Sequence, residues 1–128
     1  MSDDDRLREH PRDRFAPPVR HLDLPDQFEE LLSEPHDPVD DHRQITLVKR
    51  QGLALILFYF EEDGHIPDHK VDGEVSIHVL DGELTIDTSE GLEHVSGGEI
   101  LMLSPGVEHD VHATEPTKML LTVGTLGD

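Results

Sequence analysis

From residue 43 onward the chain is a series of short apolar runs separated by turn residues, and no other feature constrains its fold as strongly. The runs RQITLVKR, LALILFYF, EVSIHVL, ELTID, EHVS, EILMLS, HDVHA and KMLLTV are rich in Val, Ile, Leu and Thr. Between them lie QG, EEDG, DG, SEG, GG and SPG, where glycine supplies the backbone conformations that a reversal needs. Branched side chains favour the pleated strand, and runs this short favour strands over helices. Several such runs in succession, with no helical segment between them, predict an all-β sandwich or barrel. Within the series, LDGEL (residues 80–84) reads as a hairpin, because Asp-Gly supplies the positive φ angles of a type I′ turn.

Ahead of the strands the pattern differs. Residues 1–20 are charge-dense and carry Pro11, Pro17 and Pro18, too little apolar surface to offset the entropy of ordering, so they read as a polar tail. LPDQFEELLSE (24–34) places Phe28, Leu31 and Leu32 at helical spacing behind Pro25 and Asp26, which predicts a short amphipathic helix. The expected organisation is a tail over 1–20 and one domain over 21–128, a length that supports a single core.

The charge balance narrows the partners. With 29 Asp plus Glu against 10 Lys plus Arg, the net charge is −19, a field that repels phosphates and argues against nucleic acid and anionic membranes. Such acidity fits solvation at high salt, where screening relieves self-repulsion, and equally fits an acidic protein of ordinary surroundings. The chain contains no cysteine, which excludes disulfides and thiolate metal sites. No stretch approaches the roughly 20 apolar residues of a membrane-crossing helix, and MSDDDRLREHPRDRF is charged where a signal peptide needs an apolar segment. The expected location is the cytoplasm.

Ten histidines remain to be sorted. His10, His21, His36 and His42 lie in polar N-terminal segments and read as solvated, and His94 reads as exposed on a strand. In EVSIHVL, Val75, Ile77 and Val79 share one face while Glu74, Ser76 and His78 share the other. That polar side either faces solvent or lines a barrel cavity. His65 and His69 are four residues apart, about 13 Å along a straight strand, so His65 falls outside any metal shell that His69 joins. His109 and His112, three apart, face opposite ways, and the position of His109 directly after SPG favours it as the inward one.

Two stretches together resemble the motifs of the cupins, a family of small jelly-roll barrels. GHIPDHKVDGEVSIHVLDGEL is similar to the first motif, with His69, Glu74 and Gly82 in matching positions; GGEILMLSPGVEHDV is similar to the second, with Gly98, Pro105, Gly106 and His109. More narrowly, HDVHATEPTKMLLTV resembles the closing strands of small single-barrel cupins of unsettled function. The resemblance covers about residues 45–123 and implies a cupin-type jelly-roll β-barrel with a short N-terminal helix. It also implies a divalent transition metal (Zn, Fe, Mn, Ni or Cu), since imidazole and carboxylate suit all of these. Where the family has a His pair, this chain has His69 alone. His78, on the polar face of its strand, is the candidate replacement.

The expected metal site is therefore His69, His78 and His109, with Glu74 as a fourth ligand or as a hydrogen-bond acceptor behind one. The competing expectation is a metal-free cupin that binds a small molecule, senses one, or serves as a structural dimer. Whether the chain is an enzyme stays open, because fold does not determine reaction. LALILFYF is apolar on both faces, so its second face is expected to pack against the N-terminal segment or a second subunit, and a homodimer is expected.

Overall fold

The computed structural model describes residues 18–35 and 38–125. Among these described residues, one helix precedes nine strands. Helix α1 spans Leu24–Leu32, and the strands are β1 (His42–Arg50), β2 (Leu53–Phe60), β3 (His65–His69), β4 (Gly73–Asp81), β5 (Glu83–Thr88), β6 (Gly91–Ser96), β7 (Ile100–Leu103), β8 (His109–Ala113) and β9 (Thr117–Thr125). They form two antiparallel sheets, one ordered β1-β2-β9-β4-β7 and the other β3-β8-β5-β6. This is a jelly-roll barrel with its main core between the sheets.

Alternation decides what each strand contributes. Val75, Ile77 and Val79 of β4 face Leu84, Ile86 and Val111 of the other sheet across the barrel core, and the intervening Glu74, Ser76 and His78 point the other way. The eight residues of β2 split likewise. Phe58 and Phe60 join the barrel core, while Leu57, with Leu55 and Tyr59 beside it, joins a second cluster on the outer face of the same sheet.

Helix α1 covers that outer cluster. Asp23 caps it by accepting a hydrogen bond from the Asp26 N–H at 3.1 Å, and Pro25 sits in the first turn, where its missing N–H costs nothing. Phe28 and Leu31 are buried against Leu47, Val48 and Leu57, each contributing about 1.5–3 kcal/mol of burial free energy. Lys118 Nζ stands 5.3 Å from the centre of the Phe28 ring. Of the two coverings expected for the apolar run, the N-terminal segment is the one observed. Arg20, assigned to the tail from sequence, donates to the Leu47 carbonyl at 3.3 Å; tail residues 1–17 lie outside the described residues.

Two expectations are corrected. LDGEL is not a hairpin: β4 pairs with β7 and β9, whereas β5 pairs with β6 and β8. The dipeptide is instead a corner where the chain crosses from one sheet to the other. Gly82 takes φ +108°, and a Cβ there would lie 2.6 Å from the Pro116 carbonyl oxygen, so glycine is required by close approach and not by a type I′ turn. HIPDH, unassigned from sequence, forms β3. Its Pro67 is accommodated because β3 is an edge strand, and the register with β8 shifts between Ile66 and His69.

Candidate functional site

A cavity of about 250 Å³ opens between the sheets, next to the barrel core. Its wall is apolar, formed in part by Phe58, Ile66, Ile77 and Val111. Among the described residues, Gln44 and His109 are the polar side chains that line it, and no lysine, arginine, aspartate or glutamate does.

The SPG turn puts His109 there. Gly106 takes φ +83°, its N–H donates to the Val71 carbonyl at 2.9 Å, and β8 then begins at His109 with its side chain inward and 3% exposed. His109 Nδ1 lies 3.1 Å from the Val107 carbonyl oxygen. A carbonyl only accepts, so Nδ1 carries a proton. Ligand-binding and metal-binding imidazoles are commonly oriented by such a backbone contact.

The remaining expected site residues do not gather around it. His78 sits opposite Ile100 on β7 and Leu120 on β9, on the face of β4 away from Ile77 and the cavity. Glu74 is on that same outer face and is exposed. The apolar positions of β4 fill the barrel, so the polar side faces outward; the sequence expectation that His78 and Glu74 line the cavity with His109 is corrected on that ground. The backbone of His69 is the register partner of His109 across β3 and β8, and its side chain lies outside the described structure. Among the described residues, no three His, Asp or Glu side chains converge as a metal site. The described side chains thus do not make up the three-His-plus-Glu set that the resemblance implies.

His65, set outside any metal shell from the sequence, is exposed. His112 is outward, 3.3 Å from Asp63, and His94 is exposed beside Thr85. His42 departs from its solvated reading: it is half-buried, with its ring centre 5.6 Å from that of Phe60. Within LALILFYF, Ile56 and Phe58 line the cavity, whereas Leu55, Leu57 and Tyr59 lie toward the helix; Met102 on β7 is 60% exposed. Sequence reasoning missed Gln44 and Ile66. No sequence signal marked Gln44: the apolar positions of β1, Ile45, Leu47 and Val48, belong to the cluster under the helix, and Gln44 alternates with them. A second concavity, lined by Asp87, Thr88, Ser89, Glu108 and Asp110, is open and acidic.

Comparison with known proteins agrees with this architecture. No family model matches the chain, and no curated protein matches it significantly. Among solved structures, a conserved protein of unknown function from Streptococcus pyogenes is similar at a TM-score of 0.71 with 25% identity, covering 86% of this chain and 93% of that one. An RmlC-like cupin from Shewanella frigidimarina gives a TM-score of 0.68 at 15% identity, covering 83% and 91%. A cupin superfamily protein from Desulfitobacterium hafniense gives 0.68 at 19% identity, covering 85% and 94%. The two-sheet barrel and these likenesses define the class: the chain is a small cupin-type barrel. No helix among the described residues is long and apolar enough to cross a membrane.

Proposed function

We propose that this cupin binds a small, compact, mainly apolar molecule in the cavity between its sheets, with His109 as the polar anchor. The observation that carries the reading is the composition of the cavity: a hydrocarbon wall with one buried imidazole oriented by the Val107 carbonyl. At about 250 Å³ the space suits a single-ring ligand. A lining without a cationic side chain among the described residues speaks against carboxylates and phosphates as ligands.

The test is thermal denaturation with benzene and phenol as probes. A ligand that binds only the folded state raises stability by RT ln(1 + [L]/Kd), so a rise is expected for the wild type. In Ile66→Trp, which fills part of the cavity, the rise is expected to vanish. No rise with either probe would contradict the reading.

A second reading is favoured by one observation, the register that pairs His69 with His109: these two residues hold a divalent transition ion at the cavity. Such an ion would polarise a bound carbonyl or activate water. Metal analysis of the wild type beside His109→Ala checks it; near one equivalent in the first and none in the second would favour this reading over the metal-free one. The homodimer expected from sequence would use the uncovered part of the outer face, where Leu53, Ile100 and Met102 are exposed; light scattering decides between dimer and monomer.

A further inference from the structure

Gln44 at the cavity has a partner that fixes which way its amide points. It lies on β1 opposite Phe58 and lines the cavity. His42, two residues earlier and so on the same face, rests against both Phe58 and Phe60, with ring centres 5.6 Å away in each case. Its Nδ1 is 3.1 Å from the carbonyl oxygen of His65 on β3, and its Nε2 is 3.3 Å from Gln44 Oε1.

These two contacts constrain the protons. The His65 carbonyl only accepts, so Nδ1 carries the hydrogen, and Nε2 of the neutral ring is an acceptor. An acceptor cannot bond to the amide oxygen. A half-turn about the last side-chain bond of Gln44 exchanges oxygen and nitrogen without changing the side chain's shape. The NH2 group then donates to His42, which leaves Oε1 able to accept from a donor; Gln44 is itself exposed, so it lines the cavity where the cavity opens to solvent.

We propose that Gln44 selects the cavity's ligand by offering Oε1 to a hydroxyl donor, and that His42 is the positioning residue holding the amide in that sense. The proposal rests on the cavity-binding reading above and narrows it to a ligand class: neutral alcohols and phenols are preferred over ethers of the same size. The chain of contacts runs from the β3 backbone through His42 to Gln44, so the edge strand itself takes part in selection.

This donor and acceptor pattern is that of the neutral His42 ring. Charged or titratable side chains on the segments around His42 are Asp40, Asp41, Arg43, Glu61 and His65; Arg43 is half-buried and the others are exposed. The experiment is therefore run on the basic side of neutrality, at about pH 8.

Phenol and anisole, alike in ring and differing in the donor, are titrated against the full chain by NMR, and the ratio of their Kd values is read. The wild type is expected to favour phenol, and Gln44→Met to lose about twofold to tenfold of that preference, the range of one net hydrogen bond. Gln44→Glu, which offers oxygen from either side, is expected to retain it. His42→Ala is expected to lower the preference, and His42→Ala/Gln44→Glu to restore it, a rescue that a merely structural role for His42 would not give. An unchanged ratio in Gln44→Met overturns the proposal while leaving the cavity reading intact. Failure of both probes to bind overturns the two together.

Discussion

Gly82 provides the sharpest test of the architecture, because a hairpin and a sheet-to-sheet corner respond differently to the same substitution. At the tip of a type I′ hairpin, asparagine replaces glycine with little loss. At the observed corner the obstruction lies at Cβ itself, so alanine and asparagine suffer alike. The backbone there has φ +108°, and the Cβ would approach the Pro116 carbonyl oxygen to 2.6 Å, where real contacts stay beyond 3.0 Å. The neighbouring Thr117 cannot easily give way: it is 1% exposed, and its Oγ1 accepts the Glu83 N–H at 3.0 Å. Positive φ with a side chain costs about 1–2 kcal/mol, and overpacking adds about 1–3 kcal/mol. Both Gly82→Ala and Gly82→Asn are thus expected to lose about 2–5 kcal/mol in urea denaturation, with an unchanged slope. Gly98 is the control: it has φ +90° with nothing within 4 Å of where a Cβ would stand, so Gly98→Asn should cost only the backbone part, about 1–2 kcal/mol. Equal losses at Gly82 and Gly98 would refute the reasoning.

Other outcomes follow from the packing. Leu31→Ala, at 0% exposure beneath the helix, should cost about 2–5 kcal/mol by urea denaturation, whereas Leu32→Ala, 43% exposed, should change little. Thr117→Val keeps the side chain's shape but strands the Glu83 N–H, for a loss of about 1–3 kcal/mol in the same assay. The Tyr59 phenol is held above its ordinary value of 10.0 by burial and by Glu61, and an ultraviolet titration should place its midpoint above that of the unfolded chain. Because the folded value is the higher one, the small associated stability is present below the unfolded pKa and lost as pH rises through the folded pKa. Dialysis against a chelator should leave benzene binding unchanged if the cavity alone forms the site.

Much of the barrel was legible because strand identity is local. Runs such as EVSIHVL and HDVHA carry their period in the sequence, and the observed β4 and β8 contain them. The helix was legible for the same reason, from Phe28 and Leu31. What was not legible depends on the partner. LDGEL is compatible with a hairpin in isolation, and only the approach of Pro116 and Thr117 from another strand makes it a corner. Likewise the alternation in β4 separates two faces without saying which is inside; the apolar one is, and this carries His78 and Glu74 away from His109. In LALILFYF both faces are apolar, so period alone could not assign Phe58 to the cavity and Leu57 to the helix. His42 looked solvated because its burial comes from Phe58 and Phe60, distant in sequence.

The central claim, a ligand-binding cavity between the sheets, is tested most directly by methyl NMR with benzene added to isoleucine-labelled protein. The chain has six isoleucines: Ile56, Ile66 and Ile77 line the cavity, and Ile45, Ile86 and Ile100 do not. Saturable shifts confined to the first three are the predicted result. Shifts absent from all six, or largest at exposed Ile100, would contradict the account.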